Sequence, residues 1–288
     1  MKYTAVLAAF FFAAFFSHAQ SDGMLWRISG NGLEKPSYVF GTIHLYCHHE
    51  NINKPEITTA IDSSDIVAME INLNDFGTLV AAMKAAMQPS GKSLKTLLTE
   101  SEYRLVDQVC QELTGSSLET FDDKTPMNLM TRLISSDKIS GCNQPLPVDL
   151  TIASMAKEAG KISYGLESFK FQDSILNSIP DTTQVRWLLD LCKNVPETKE
   201  ELKSMMDAYD EQKAIGLYNV MLKTSPEMEM FKDVLLVQRN IKWVELLKNN
   251  MNRHAYFMAV GAGHLAGETG VISLLRKAGY TVVPIIMK

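Results

Sequence analysis

The chain has 288 residues, of which 46% are hydrophobic, 21% charged and 8% aromatic. That is enough apolar chain for one large core or two small ones, and it excludes a disordered chain, a collagen and a small disulfide scaffold. The formal net charge of −5 argues against a general nucleic-acid binder.

The first nineteen residues read as a secretory signal. Lys2 gives a positive start, Val6 to Phe16 is an unbroken apolar run, and Ser17-His18-Ala19 places small residues at a signal-peptidase site. The apolar run is shorter than the roughly 20 residues of a membrane span. The mature chain is therefore expected to begin at Gln20 as an exported protein, periplasmic or secreted, without a stable membrane anchor. Export bears on Cys47, Cys110, Cys142 and Cys192, which are widely spaced and lack a CxxC pair. One or two disulfides are expected in an oxidising compartment, and four cysteines allow three connectivities.

The first strand is expected over Met24–Ile28 and the second over Ser37–Ile43. Gly30-Asn31-Gly32 between them signals a hairpin turn. Pro55 opens a short helix through Ile61. Asp65–Ile71 reads as a buried strand ending in an acid, Glu70. Asp75 to about Ser140 takes on helical spacing, interrupted at Pro89-Ser90-Gly91 and Thr114-Gly115-Ser116. Pro147–Ala159 is another helix. Lys161–Leu166 is a short strand that again runs into an acid, Glu167. Phe169 to Asn250 reads almost wholly as helix, broken near Pro196 and Pro226. His254–Val260 is a buried strand, and a last helix (268–277) and strand (280–286) close the chain. The fold class is α/β: a central mixed sheet built from N- and C-terminal segments, with a large helical insertion at about 170–250.

Two strands end alike, in Gly41-Thr42-Ile43-His44 and Gly261-Ala262-Gly263-His264. Groups past the C-terminal ends of strands line the crevice of an open α/β sheet, so His44 and His264 are expected to face one cavity. Gly41, Gly261 and Gly263 are expected to keep its floor open for substrate. Glu70 and Glu167 close apolar strands, where a carboxylate is costly unless paired or metal-bound. Asp149 either joins this site or serves as an N-terminal helix charge. Histidines with a carboxylate suit a divalent ion with an open position, and a remaining Glu suits a general base. Arg239-Asn240 is either a solvent-facing pair or directs a guanidinium at a carboxylate or oxyanion. Cys47-His48-His49 reads as a surface loop, since consecutive residues do not project to one point.

Leu25-Trp26-Arg27-Ile28 with Phe40–Leu45, Ala68-Met69-Glu70-Ile71, Asp149 with Tyr164–Ser168 and Gln172, and Val260–Gly267 with Gly270-Val271 occur in one order along nearly the whole chain. This series resembles the TraB/PrgY/GumN family, which includes the Tiki proteases, and the erythromycin-esterase/ChaN-like fold. The resemblance implies divalent-metal-dependent proteolysis through the two Gly-x-x-His histidines and a Glu. It carries over to His44, His264 and Glu70 as metal ligands, with Glu70, Glu167 and Arg239 as catalytic candidates. The metal would be Mn, Co or Zn and the substrate a peptide or small molecule. Two alternatives stay open. One is a non-catalytic protein holding a peptide- or haem-type ligand in the same cleft. The other is an envelope accessory protein whose helical insertion docks a partner.

Overall fold

The computed structural model describes residues 22–87, 91–143, 145–224 and 226–288. The expected signal segment lies outside them. Six strands form one mixed sheet: β1 (Leu25–Ser29), β2 (Ser37–Thr42), β3 (Ile66–Met69), β4 (Ile162–Gly165), β5 (Tyr256–Gly261) and β6 (Thr281–Ile285). Their spatial order is β4-β3-β5-β2-β1-β6. The hairpin partners β1 and β2 pair antiparallel, as do β1 and β6. β2, β5, β3 and β4 run parallel to one another.

The apolar runs of β2 and β5 follow from this position. All of β2 is buried, as is β5 up to Val260, because inner parallel strands are covered on both faces. β4 is an edge strand and alternates, with Ile162 and Tyr164 exposed. The register aligns Thr42 with Gly261, and Met69 with both Ala259 and Gly165. All four parallel strands therefore end at one edge of the sheet. Everything that sequence reading placed just past a strand end emerges there.

The helical layer has two sources. A second buried cluster, apart from the sheet core, joins Leu94, Val106, Cys110, Leu118, Leu129 and Leu133 to Leu188, Cys192 and Leu202. Helices between β3 and β4 thus share a core with helices between β4 and β5, which the expected single segment at 170–250 does not capture. Local signals fix the ends of these helices. Thr99 and Glu102 form a capping box at the start of Glu100–Thr114, and Gly115, at φ 73°, closes it.

Of the three possible cysteine connectivities, Cys47–Cys142 is bridged. Cys110 and Cys192 are free and buried in the second cluster. The bridge fastens the loop after β2 to the segment before helix Val148–Glu158. Backbone hydrogen bonds between Tyr46 and Leu146, and from Val148 N–H to Ile43 O, run alongside it. A thiol reagent is expected to label no cysteine in the native, non-reduced protein and two after denaturation. Closing a loop of 95 residues contributes on the order of 4–5 kcal/mol in the chain-entropy account. The Cys47→Ser/Cys142→Ser protein should therefore melt well below wild type; an unchanged melting temperature would refute this role.

Candidate metal and acid–base site

The C-terminal edge of the sheet brings together residues from the ends of all four parallel strands and from three helices. Glu70 follows β3 directly, and Glu167 follows β4 by two residues. The pairing of these strands continues past their ends, with Leu166 N–H donating to Met69 O at 2.8 Å and Glu167 N–H to Glu70 O at 2.9 Å. Glu70 then turns its side chain beneath β5, where Oε1 accepts from Gly261 N–H at 2.8 Å. Gln172, in the helix Phe169–Asn177, donates to Glu70 Oε2 at 2.8 Å.

Arg239 binds both acids. Its Nη2 lies 2.6 Å from Glu70 Oε2 and 2.7 Å from Glu167 Oε1, and its Nε donates to Glu167 at 3.1 Å. Nη1 donates to Leu235 O at 2.9 Å and lies 3.1 Å from His264 Nε2. The guanidinium stacks on Trp243, 4.7 Å from the ring centroid. Arg239 is 7% exposed and Asn240 2%, so this pair faces the site and not solvent. Every edge of the guanidinium is engaged, which leaves no donor aimed at an open oxyanion position. Its part is to hold the two carboxylates. Arg239 stands on the buried face of helix Gln238–Asn250, with Asn240, Trp243, Val244 and Leu247, and a π-helical turn, Asp233–Val237, precedes that helix. Arg239 is one turn before Trp243 and two before Leu247, so helical spacing places it with them, but Ile241 is exposed, and apolar residues on both sides leave the buried face ambiguous in sequence.

His264 is buried, with Nδ1 2.6 Å from Asn240 Oδ1 and Nε2 3.7 Å from Glu70 Oε1. Burial pushes its pKa down to about 4, despite the opposing pull of Glu70, so the ring is neutral at pH 7. Burial also works against ionisation of Glu70, but His264, Arg239 and the Gly261 N–H outweigh it and hold the carboxyl down to about 2. Glu167 moves the other way: burial raises its pKa, against Arg239.

His44 emerges beside them, from the strand end paired with Gly261. Its Nδ1 lies 2.8 Å from Asp149 Oδ2, while Thr42 donates to Asp149 Oδ1 at 2.6 Å. Asp149 stands in the first turn of its helix, so the two readings of this residue hold together. The hydrogen bond to Asp149 pushes the His44 pKa up to about 9, although the side chain is 74% exposed. His48 stays on a surface loop as expected, but it repeats the arrangement. Its Nδ1 is 2.6 Å from Asp210, which also accepts from Tyr46. Sequence reading missed this second relay, together with the roles of Thr42 and Asn240. Short spacing around each histidine is the one trace they leave.

Gly261 faces the site, where a Cβ would meet Glu70 Oε1 at 3.3 Å and His264 Cδ2 at 3.6 Å, but Gly41 and Gly263 act differently from expectation. A Cβ on Gly41 would fall 2.8 Å from Leu265 Cδ1 and 3.1 Å from Ala262 Cβ, and one on Gly263 would meet Met221 Sδ at 3.1 Å. These positions let protein segments approach one another and do not floor an open cleft.

The donors suit a divalent ion in part. Two ligands about 2.1 Å from one ion lie at most about 4.2 Å apart, and the 3.7 Å between His264 Nε2 and Glu70 Oε1 fits that span. Neutral His264 and ionised Glu70 have the required protonation, although the Nε2 lone pair is shared with Arg239 Nη1. His44, oriented by the Asp149 carboxylate, has to give up a proton before it can hold an ion, which makes metal binding pH-dependent. Among the described residues, no group of three His, Cys, Asp or Glu side chains is gathered closely enough to form a ready metal cage.

The model of the TraB/PrgY/gumN family matches residues 24–284. The chain belongs to this family. Curated relatives include the metalloprotease TIKI1 of Danio rerio, 26% identical over 91% of this chain and 63% of its own length. TIKI1 of Xenopus tropicalis is 24% identical over 92% and 62%, and a TIKI homolog of Nematostella vectensis, also named a metalloprotease, is 23% identical over 91% and 66%. The chain spans a little under two thirds of the first two. No solved structure matches it significantly. Among the described residues no helix is long and apolar enough to cross a membrane.

Two outcomes follow from the geometry. Arg239→Met leaves two buried carboxylates without their cation and should cost about 3–5 kcal/mol of stability, read as a fall in the denaturation midpoint. In chelator-treated protein, stability should peak near pH 6.5. From 6.5 to about 9 the folded state keeps the His44 proton that the unfolded chain releases, so stability falls as pH rises. From 6.5 down to about 4 the unfolded chain binds a proton that buried His264 refuses, so stability falls as pH drops. Melting curves of His44→Gln should lose the His44 part of the alkaline limb.

Proposed function

We propose that this chain is an exported divalent-metal-dependent peptidase. His44, His264 and Glu70 hold a Mn, Co or Zn ion, and Glu167 acts as general base. The observation that carries this reading is the convergence of both Gly-x-x-His turns and two buried acids on the C-terminal edge of four parallel strands. The metalloprotease names of its relatives support it.

The residues divide the work by environment. His264 offers a neutral ring, and Glu70 an ionised carboxylate fixed by Gly261 and Gln172. A divalent ion held there supplies Lewis-acid polarisation and acidifies water. Glu167, with its pKa raised by burial, takes the proton of the attacking water and returns it to the leaving amine. Arg239 keeps the two acids at fixed separation and limits their mutual repulsion.

The alternatives have less support. A non-catalytic protein holding a peptide- or haem-type ligand in the same cleft would bind there without turnover. The cavity of about 190 Å³ lined by Tyr46, Asn51, Lys54 and Asp210 is not that cleft, since none of His44, Glu70, Glu167, Arg239 and His264 lines it. Over 170–250, the exposed large apolar side chains among the described residues are Leu176, Met230 and Ile241. They stand on three separate helices, with no sign of one broad docking face.

Cleavage of a peptide library by the purified protein, with and without EDTA and phenanthroline, tests the proposal. Activity should disappear on chelation and return with Mn, Co or Zn. Activity that persists would reject the metal and leave the histidines as an acid–base pair. Glu70→Gln should abolish both turnover and metal binding. It should also cost about 1–3 kcal/mol, because an amide there faces the N–H groups of Arg239 and Gln172. Full activity in that variant would remove Glu70 from the mechanism.

A further inference from the structure

We infer that Asn240 is a positioning residue that holds His264 in its Nδ1–H tautomer, so that the lone pair of Nε2 faces Glu70 and Arg239. The tautomer is fixed from both ends of the ring. At one end, the Asn240 amide has a single possible orientation. Its Nδ2 lies 2.9 Å from Thr269 O and 3.4 Å from His264 O, two acceptors that only the NH₂ group can satisfy. Oδ1 is then the atom 2.6 Å from His264 Nδ1, and an amide oxygen accepts, so Nδ1 carries the hydrogen. At the other end, Arg239 Nη1 lies 3.1 Å from Nε2. A guanidinium has donors only, so Nε2 presents its lone pair. Neither contact depends on the other.

One helix thus grips both ring nitrogens with consecutive residues. Arg239 and Asn240 point in different directions from helix Gln238–Asn250, and the His264 ring lies between their ends. Trp243, from the same helix, packs against the ring with centroids 4.6 Å apart. The same Asn240 side chain ties His264 O to Thr269 O, so it holds the backbone of the turn as well as the ring. Asp149 performs the corresponding task at His44, with one chemical difference. A carboxylate partner favours the protonated ring, whereas a neutral amide orients His264 without charging it. A buried site with two acids and one arginine accepts the neutral partner without adding a further charge.

The role of Nε2 as a metal ligand rests on the peptidase reading above; the tautomer does not. Long-range proton–nitrogen correlation spectra of ¹⁵N-histidine-labelled, metal-free protein report the tautomer directly, with His264 assigned by its substitution. Titration calorimetry with Mn(II), Co(II) and Zn(II) reports the metal. The expected result is Nδ1–H in wild type. Asn240→Leu leaves Arg239 alone to hold the tautomer, so part of the ring population should turn to Nε2–H and metal binding should weaken by about 10–100-fold. A merely structural role for Asn240 would move the melting temperature without moving the tautomer. Nε2–H in wild type would overturn the inference, and does so even if Asn240→Leu fails to fold. So would Asn240→Leu with wild-type tautomer and affinity. Wild type showing Nδ1–H but no metal binding supports the positioning role and removes the metal from the peptidase reading.

Discussion

A single buried cation holds this site together. Arg239 reaches Glu70 at the end of β3, Glu167 at the end of β4, and the ring of His264 after β5. Removing three charges from water costs several kcal/mol each, and their mutual attraction compensates only when the geometry is good and the remaining hydrogen bonds are made. Those bonds come from Gly261, Gln172 and Leu235 O. The arginine is carried by the helical layer and the acids by the sheet, so the ion pairs also fix how the two are docked. Neither half has a stable place for its charges without the other.

A great deal of the sheet was legible in the sequence because its signals are local. Apolar runs closed by an acid or by Gly-x-x-His mark strand ends, and parallel inner strands must be apolar throughout. His44, His264, Glu70 and Glu167 follow from that pattern, whereas Asp149 opens a helix and its place in the site is one of two readings the sequence allows. What remained hidden depends on contacts between distant segments. Whether Arg239 faces solvent or the acids depends on which face of its helix is covered: Trp243, Val244 and Leu247 are buried and Ile241 is not, a choice the apolar spacing alone leaves open. The contributions of Thr42 and Asn240 depend on what each side chain meets across the fold. Cysteine spacing left three connectivities open. The helices that share a core across β4 look, residue by residue, like any amphipathic helices.

The loop carrying His44 is unusually well secured for an exposed segment. Thr42 and Asp149 grip it at its start, Tyr46 and His48 share Asp210 further along, and Tyr209 donates to Gly41 O at 2.8 Å. The disulfide and the Tyr46–Leu146 pairing add a third anchor. Loops of this kind lose little further conformational entropy when they bind, which is the general basis of preorganisation. The site accordingly combines a buried, neutral histidine with an exposed, tethered one.

The position of β5 has a consequence for how the chain acquires its fold. β2 and β3, made early, are not neighbours; β5 lies between them and is separated from β3 by more than 180 residues of sequence. Until Tyr256–Gly261 exists, each of the earlier strands has a bare edge of unsatisfied N–H and C=O groups, the kind of surface that pairs with other chains. The central pairing also carries the entropy of closing long loops before it is rewarded. A nascent chain should therefore remain open, and dependent on protection from aggregation, until almost its last segment is synthesised. That same segment delivers His264, so the parallel part of the sheet and the site are completed in one event, before β6 adds to the free edge of β1.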